Sequence, residues 1–424
     1  MDGLIVIGAF FTLFMLGFPV VASILIPCVA YLLLNGFPIE MIAQRIQYSL
    51  NSYTLAAVPL FILVGNLMNR AGVTSRMYRF ADVAVGRVPG GLAQVNIFSS
   101  LLFAAKSGAA LADIGAMGAI HIKAMKDKGF SVPYSAALSA TSAIIGPITP
   151  PSIPLVLYGS VAGVSVLRLL LSGIVPGLLL CATMMGITVV LAYRRNYPRA
   201  ERWSTPKEIW TAFYPALPSL LTPVVLVWGM LSGIFTPTEG AAVTVSYLLL
   251  ISLLYRELTL RGIIEGLFET VKSSCSVLVI VGAASLFGWI LAIEQVPQLF
   301  SAFLLSISTN PWVLLAIMNV ILFIIGLFLD STTAILLLVP IIVPPLVSVG
   351  VDPIHLGLVF VFNIMIGLVT PPMGLALFMI SKVGNVAIKD VLKEVVPYYI
   401  PLIVVLLICT YVPAIVLWIP NMIM

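Results

Sequence analysis

The stretch IIGPITPPSIPLVLYG, residues 144–159, decides the fold. It lies in an apolar run where a membrane-spanning helix would be expected, yet four prolines interrupt it. Proline removes a backbone donor and clashes with the preceding turn, so an α-helix cannot continue through Pro147 and Pro150-Pro151. In hydrocarbon, each backbone group without a partner is costly unless protein, water or an ion satisfies it. A second stretch, MIGLVTPPMGLALFMI at residues 365–380, breaks another apolar segment in the same way.

The composition sets the class of protein. Of the 424 residues, 61% are hydrophobic and 9% are charged, whereas about a quarter of the residues in soluble domains are charged. The mean hydropathy is +1.16. We therefore predict an all-α polytopic protein of the lipid bilayer, with room for about ten spans of about 20 residues. The net charge of +5 indicates cytoplasmic loop Lys and Arg rather than nucleic-acid binding. The N-terminus has no small-residue cleavage site, so we expect it to be retained.

An internal repeat relates the two halves of the chain. When the sequence is shifted by 221 positions, a collinear series of residues coincides. The matched residues are Gly129 with Gly350, Gly146 with Gly367, Thr149-Pro150-Pro151 with Thr370-Pro371-Pro372, and Gly163 with Gly384. We therefore predict two repeats, residues 1–210 and 211–424.

Loop charges predict how the two repeats are oriented. Loops 69–91 and 123–129 are basic, whereas their counterparts 294–311 and 347–352 contain no Lys or Arg. In the other direction, loop 255–262 is basic and its counterpart 35–41 is not. Basic loops stay in the cytoplasm. Equivalent loops should therefore lie on opposite sides of the membrane, which predicts inverted-topology repeats, as in many secondary transporters.

Each repeat is predicted to contain a re-entrant hairpin followed by a broken helix. The first hairpin, residues 92–125, has the polar tip AAKSGAALAD; the second, residues 312–346, has the tip LDSTT. The broken helices should cover residues 134–163 and 355–380. Irregular backbone at membrane depth is tolerated only where it is buried in protein or lines a cavity. We therefore expect the two tips and the two breaks to converge on a binding site near the midplane.

Other classes of function find little support. The four cysteines are isolated in apolar runs and the two histidines are far apart, so neither a metal site nor a hydrolytic site is indicated. The sequence contains no GxxxxGK[ST] motif, which would have indicated an ATPase. A membrane-embedded enzyme would need a cluster of acid–base or metal-binding groups, and a channel would favour a continuous polar pore. Glu239 and Arg168 are interpreted as interfacial charges near the ends of spans.

Four motifs together resemble the large membrane subunit of tripartite ATP-independent periplasmic (TRAP) transporters. They are SGAALADIGAMGAIHIKAMKDKGF, GPITPPSIPLVLYG, LDSTTAILLLVPIIVPPL and GLVTPPMGLALF. The resemblance implies sodium-driven uptake of an organic acid, such as a C4-dicarboxylate or sialic acid, across the bacterial inner membrane by an elevator movement. It also implies two partners, a small four-helix membrane subunit and a soluble periplasmic substrate-binding protein. A sodium-coupled carboxylate carrier that works without a binding protein is the alternative.

The predicted site residues lie in the tips and breaks. Sodium is expected as the coupling ion, and no other inorganic ligand is expected. It binds oxygen atoms, which the carbonyl groups of unwound backbone and nearby hydroxyls supply. Sodium ligands are predicted at Ser107, Gly146 and Thr149 in the first repeat and at Asp330, Thr332, Gly367, Thr370 and Met373 in the second. Substrate contacts are predicted at Lys106, Ser107, Gly108, Ser152, Asp330 and Ser331. The resembled family often has Ser or Gly around the first tip, where this chain has Lys106 and Ala109.

Three questions stay open at this point. Lys106 could add a positive charge near the first tip or pair with Asp113. Asp330 could cap the returning leg of its hairpin through the N–H groups of Thr332 or Thr333, or it could neutralise sodium and shape the anion site. Residues 4–34 could form one long span or two short ones. The sequence does not identify the acid.

Overall fold

The computed structural model describes residues 2–199, 202–255 and 257–423, with the side chains of all of these except residues 105–107 and 254. Within these ranges the regular structure is entirely helical, as predicted for an all-α fold. The helices of the first repeat are α1 Asp2–Met15, α2 Val20–Leu34, α3 Glu40–Leu50, α4 Ala57–Arg70, α5 Val73–Val85, α6 Leu92–Ser107, α7 Ala110–Asp127, α8 Val132–Ser142, α9 Ile145–Ile148, α10 Ile153–Ala162, α11 Val166–Ser172 and α12 Ile174–Arg195. A short 3-10 helix, Thr54–Ala56, precedes α4.

The second repeat has fewer and longer helices. They are α13 Pro206–Leu231, α14 Pro237–Tyr255, α15 Leu260–Ile293, α16 Val296–Ile307, α17 Pro311–Gly326, α18 Ser331–Ser348, α19 Pro353–Gly367, α20 Leu375–Gly384, α21 Ile388–Tyr411 and α22 Pro413–Ile423. The helix α15 runs unbroken for 34 residues, whereas its counterpart in the first repeat, α3 followed by α4, bends by 69°.

Fewer helices than expected are long enough to cross a bilayer. By length and composition, five helices of the described chain qualify, or up to seven if each bent pair is one span. Nine further apolar helices of 10–17 residues in the described chain are shorter than a span by themselves, and they include hairpin legs and halves of broken helices. Residues 4–34 form two short helices, α1 and α2, which pack against each other after a turn at Gly17.

The 221-residue repeat extends to the backbone. The returning hairpin legs α7 and α18 begin and end at matched residues, and α8 and α19 also begin at matched residues. The matched Gly129 and Gly350 have φ values of +89° and +90°, a left-handed conformation that glycine adopts without strain. Both breaks contain a cis peptide bond, Pro150-Pro151 and Pro371-Pro372.

Several helix pairs join the two repeats, and α4 with α15 and α8 with α21 are two of them. The helices α4 and α15 pack side by side; Asn66 donates to Thr270 over 2.9 Å and Arg70 pairs with Glu265 over 2.7 Å. Elsewhere, α8 packs on α21, where the hydroxyls of Tyr134 and Tyr398 lie 2.9 Å apart. The hairpins and broken helices lie within this frame: α10 contacts α18, and α19 is buried from Ile354 to Gly367.

Candidate binding cavity between the hairpin tips

One cavity of about 230 Å³ receives residues from both hairpin tips. Residues 109–113 of the first tip and 330–332 of the second line it, together with residues from α4, α10, α15 and α19. The other lining residues are Ile62, Gly65, Asn66, Asn69, Ile153, Pro154, Ser273, Val277, Met365 and Leu368. Segments far apart in sequence therefore line one partly open cavity, which is the arrangement expected of a ligand site between helices.

The first hairpin tip rests directly on the first helix break. Gly108, between α6 and α7, has a φ of +56°, which favours glycine. A Cβ atom at Gly108 would lie 2.4 Å from the carbonyl oxygen of Pro151 and 2.7 Å from the Cα of Ser152. No side chain fits between them, so glycine is what permits the tip to seat against the break.

Asp113, one turn into α7, brings a carboxylate to the cavity. It is 8% exposed, and its Oδ2 atom would lie 3.1 Å from a Cβ atom at Gly146 in the first break. A carboxylate at membrane depth is costly to bury. The first tip thus presents one acidic group toward both the cavity and the break.

Side-chain hydroxyls satisfy backbone groups at the first break. Thr149 donates to the carbonyl oxygen of Ile145 over 2.8 Å. Ser152 is the N-cap of α10; its Oγ accepts from the N–H of Leu155 over 3.2 Å and donates to the carbonyl oxygen of Pro147. The bond from Ser152 to Pro147 replaces a partner that Pro151 removes, because proline has no N–H to donate to the carbonyl oxygen four residues earlier.

The second tip is organised by Asp330. Its Oδ2 atom accepts from the N–H of Thr332 over 2.9 Å and from the N–H of Thr333 over 3.4 Å, so the carboxylate caps α18. The capping interpretation of Asp330 therefore describes the geometry. Because Asp330 also lines the cavity, this cap does not exclude contact with an ion or a ligand.

The second break is built by backbone packing. A Cβ atom at Gly367 would lie 2.4 Å from the carbonyl carbon of Gly326, the last residue of α17. Thr370 donates to the carbonyl oxygen of Ile366 over 2.8 Å. The hydroxyl of Tyr399 donates to the carbonyl oxygen of Val369 over 2.7 Å. Met373, which is matched with Ser152, is 43% exposed.

The predicted site residues fall into three groups. Asp330, Ser331 and Thr332 line the cavity. The others whose side chains are described lie at the breaks and the first tip, outside the cavity lining: Gly108, Gly146, Thr149, Ser152, Gly367, Thr370 and Met373. The side chains of Lys106 and Ser107 lie outside the described part of the chain, so their predicted contacts stay predictions.

The sequence did not single out four polar residues of the lining as ligands. These are Asn66 and Asn69 of α4, Asp113 of α7 and Ser273 of α15. The two asparagines lie three residues apart in the apolar run AVPLFILVGNLMNR. Polar residues at such positions mark functional sites in membrane helices, so this spacing was a usable indication.

Two carboxylates contribute to the electrostatics of the cavity. Among the lining residues with described side chains, the charged ones are the carboxylates Asp113 and Asp330. The described residues contain no group of three or more His, Cys, Asp and Glu placed to hold a metal ion. Any cation bound here would depend on backbone carbonyls, hydroxyls and single carboxylates, a donor set that suits hard monovalent and divalent ions.

An all-helical membrane chain in which two hairpin tips and two broken helices surround one cavity has the architecture of a secondary transporter. The family model described as "Tripartite ATP-independent periplasmic transporter, DctM component" matches residues 7–415. The chain belongs to this family, and is therefore a transporter permease of a tripartite assembly and not an enzyme. The resemblance noted in the four motifs is confirmed.

Individual relatives support the same assignment. Over 411 residues the chain is 43% identical to the sialic acid TRAP transporter large permease protein SiaM of Vibrio cholerae, covering 96% of this chain and 95% of that protein. It is 33% identical to the C4-dicarboxylate TRAP transporter large permease protein DctM of Rhodobacter capsulatus, covering 100% and 99%. The crystal structure of the Alcanivorax borkumensis YdaH transporter has a TM-score of 0.62 and 15% identity, covering 93% of this chain and 89% of that one. This likeness concerns the fold alone.

Proposed function

We propose that this permease carries an organic acid into the cell by sodium-coupled symport across the bacterial inner membrane. Two relatives are named as transporters of sialic acid and of C4-dicarboxylates. These names support an organic acid as the substrate. The observation that carries the proposal is the carboxylate of Asp330 in the lining of the cavity. An organic anion placed beside it would be repelled, because two unit charges 4 Å apart interact with about 4 kcal/mol at an effective dielectric constant of about 20. Sodium ions bound nearby would turn this repulsion into coupling.

The sodium ions are proposed to bind where each hairpin meets its break. In the first repeat, Ser107, Gly146 and Thr149 would supply oxygen atoms. In the second, Asp330 or Thr332 would act with Gly367, Thr370 and Met373, partly through backbone carbonyls. The anion would then be held by the N–H groups that open the helices after the tips and breaks, where the helix dipole favours negative charge. Gly108, Ser152 and Ser331, with Lys106, are the proposed substrate contacts.

The movement is proposed to be that of an elevator. The hairpins and broken helices would move as one body past the pair formed by α4 and α15, and carry the cavity with them. This proposal is supported by the lining of the cavity, to which α4 and α15 contribute from the proposed fixed part and the tips, α10 and α19 from the proposed moving part. Movement of the hairpin side would carry the tip residues past the two asparagines of α4.

Sodium coupling is tested by uptake into proteoliposomes. With the membrane potential fixed, replacement of external sodium by choline should abolish accumulation of the labelled acid. Uptake that is insensitive to this replacement would contradict sodium coupling. Counterflow of labelled substrate should also be observed, since a carrier shows it and a channel does not.

The partners are tested in the same assay. We propose that a small four-helix membrane subunit covers apolar surface of the permease and that a periplasmic binding protein delivers the acid. The chain reconstituted alone should therefore transport poorly compared with the complete assembly. Equal sodium-driven uptake by the chain alone would favour the alternative, a carboxylate carrier that works without a binding protein.

The inverted orientation of the repeats is tested by cysteine labelling. Ser204→Cys should react with an impermeant reagent from the cytoplasmic side, because loop 194–208 is basic. Ser348→Cys should react from the periplasmic side, because loop 347–352 contains no Lys or Arg. Cys275 is exposed and is first replaced by serine; Cys28, Cys181 and Cys409 are buried. Reaction of both introduced cysteines from one side would refute the inverted repeat.

A further inference from the structure

A second cavity, of about 520 Å³, follows the first along the same helices. In each of α10, α15 and α18, the residues that line it come one or two turns after those that line the cavity between the tips. The helix α15 begins beside the basic loop 255–262 and ends at loop 294–311, which has no Lys or Arg. The second cavity therefore lies on the predicted periplasmic side, and we call it the outer cavity. None of its lining residues is charged; the polar ones are Tyr48, Ser49, Asn51, Ser52, Ser160 and Ser285.

Arg45 lies at the edge of the outer cavity. The central carbon of its guanidinium is 4.8 Å from the centroid of the Trp289 ring, and Trp289 follows Gly288 of the lining. On α3, Ser49 of the lining comes four residues after Arg45 and is therefore on the same face of the helix. The backbone oxygen of Arg45 accepts from the hydroxyl of Ser285 over 3.2 Å, which joins α3 to α15 at this point. Both helices thus place the positive charge beside the cavity.

No ion pair neutralises Arg45 within the described part of the chain. Glu40, the other charged residue of α3, is five residues away, and the face of Trp289 attracts a cation without cancelling its charge. Among the 21 Lys and Arg residues of the chain, Arg45 on α3 and Arg168 on α11 are the two next to the predicted periplasmic surface. Arg168 donates to Asn421 over 2.8 Å and does not line the outer cavity. Arg45 is therefore the described cation that is placed to attract an anion to this cavity.

We propose that Arg45 and the outer cavity form an entry site for the carboxylate group of the transported acid, distinct from the cavity between the tips. This inference rests on the proposed uptake of an organic acid. A guanidinium presents paired N–H groups that match a carboxylate. The side chains of Asn51, Ser52 and Ser160 make no hydrogen bond to a residue of the described chain, so they are available to the polar groups of the anion. The anion is concentrated here before it meets the carboxylate of Asp330, which lines the other cavity.

The charge that Arg45 brings to the cavity is measured with an introduced cysteine. The purified full-length permease in phosphatidylcholine nanodiscs carries Ser49→Cys and Cys275→Ser. It is modified with an anionic (sulfonatoethyl) or a cationic (trimethylammonioethyl) methanethiosulfonate at an ionic strength of about 10 mM, where the Debye length is about 30 Å. Adding Arg45→Gln should lower the ratio of the anionic to the cationic rate at least about threefold, because side chains four residues apart on a helix lie about 5–6 Å from each other. Arg45→Lys should preserve the ratio.

The control cysteine is Ser348→Cys, which lies outside the lining of the outer cavity. Its ratio should not respond to Arg45→Gln. An unreactive Ser49→Cys would show that the cavity is closed, and an unchanged ratio would show that Arg45 only anchors α3 at the membrane surface. Either result would overturn the proposal.

Occupancy by a carboxylate is measured as protection of the same cysteine. Neutral methyl methanethiosulfonate modifies Ser49→Cys in sodium-free choline buffer of constant ionic strength, with succinate, N-acetylneuraminate or uncharged 1,4-butanediol. At least one acid should slow the modification about threefold or more, butanediol should not, and Arg45→Gln should abolish the protection. Protection by neither acid, equal protection by butanediol, or protection that requires sodium and so belongs to the tips, would each contradict an entry site at Arg45.

Neither measurement depends on transport. Carboxylate protection without sodium-driven uptake would contradict only the proposed function. In uptake by the complete assembly, Arg45→Gln should raise the half-saturating external concentration of the acid at least about tenfold, by loss of electrostatic attraction, and the matched control Arg168→Gln should leave it unchanged. Sodium-driven uptake with the same half-saturating concentration in both variants would contradict only the entry site.

Discussion

The two hairpin–break pairs share a backbone and differ in their side chains. Both pairs place a helix start, a left-handed glycine and a Pro-Pro break at matched positions. The acidic residues are not matched: at the offset of 221 residues, Asp330 corresponds to Ala109, and Asp113 corresponds to Ala334. Each tip thus brings one carboxylate to the same cavity, but at the N-cap in the second repeat and one turn later in the first.

This difference shows which features symmetry fixes. Proline and glycine determine where the chain can be helical, so the repeat preserves them and with them the shape of the cavity. The side chains that face the cavity have diverged, so the two tips cannot bind identical ligands in identical ways. We expect the two proposed sodium sites to differ in affinity, with the site at Asp330 supported by a carboxylate at the start of its helix.

The largest effect is expected where the two pairs pack most differently. Gly367→Ala would place a Cβ atom 2.4–2.7 Å from backbone atoms of Gly326, which cannot rotate away. We expect a loss of at least about 3 kcal/mol of stability, at the upper end for overpacking. In Gly146→Ala the nearest atom is the side-chain Oδ2 of Asp113 at 3.1 Å, which can move, so a loss of about 1 kcal/mol is expected.

Thermal unfolding of both purified variants measures this difference. Equal losses would contradict the conclusion that the second break depends on glycine–glycine backbone packing and the first does not. Sodium-dependent stabilisation should also be followed in Gly146→Ala, because Gly146 is one of the proposed sodium ligands.

A smaller effect is expected from the polar contacts that join each broken helix to the outer leg of its hairpin. Asn363, fully buried in α19, donates to the backbone oxygen of Asn319 over 3.0 Å and to its side-chain oxygen over 2.8 Å. The matched Ser142 donates to Asn96 over 3.1 Å. We expect Asn363→Ala to cost about 2 kcal/mol and Ser142→Ala about 1 kcal/mol. Each loses two hydrogen bonds to a neighbouring helix, since Ser142 also accepts from Ser100 over 3.0 Å, but removal of the larger amide also leaves a larger cavity. Chemical or thermal unfolding would measure both, and a larger loss in Ser142→Ala would reverse the comparison.

The third prediction separates charge from capping at the second tip. Asp330→Asn keeps a good capping oxygen but removes the charge. We expect folding to be preserved and sodium-driven uptake to fall at least about tenfold, equivalent to about 1.4 kcal/mol, at limiting sodium. The matched control is Asp352→Asn: Asp352 caps α19 through the N–H groups of Ile354 and His355, at 2.7 and 3.3 Å, outside the cavity. Wild-type uptake by Asp330→Asn would leave this residue with a structural role alone.

Sequence reasoning predicted the repeated part of the site better than the part contributed by the scaffold. Prolines, glycines and a capping aspartate act locally, so the tips and the breaks could be located from short motifs and the 221-residue offset. The spacing of Asn66 and Asn69 in an apolar helix indicated functional positions, but it did not specify that α4 and α15 pack against the tips, on which the place of these residues in the cavity depends. The same reason explains the bend between α3 and α4: its counterpart α15 is straight, so the repeat alone does not predict it.

The smallest effect is expected at the matched residues Ser152 and Met373. Ser152 is fully buried and caps α10, whereas α20 begins after Gly374, which has no side chain to cap it. Loss of the cap in Ser152→Ala should cost about 1 kcal/mol, and Met373→Ala less than about 0.5 kcal/mol, since the side chain is partly exposed. Ser152→Gly refines the test: glycine is a tolerable cap residue and costs only a few tenths of a kcal/mol there. A loss in Ser152→Gly as large as in Ser152→Ala would therefore assign the stabilisation to the bond with Pro147 instead.

Because the hydroxyl of Ser152 already accepts from Leu155 and donates to Pro147, we expect the change to appear in thermal stability first. A raised half-saturating substrate concentration in Ser152→Ala, at unchanged stability, would instead assign the hydroxyl to substrate binding and give the first break a chemical role that Met373 cannot match.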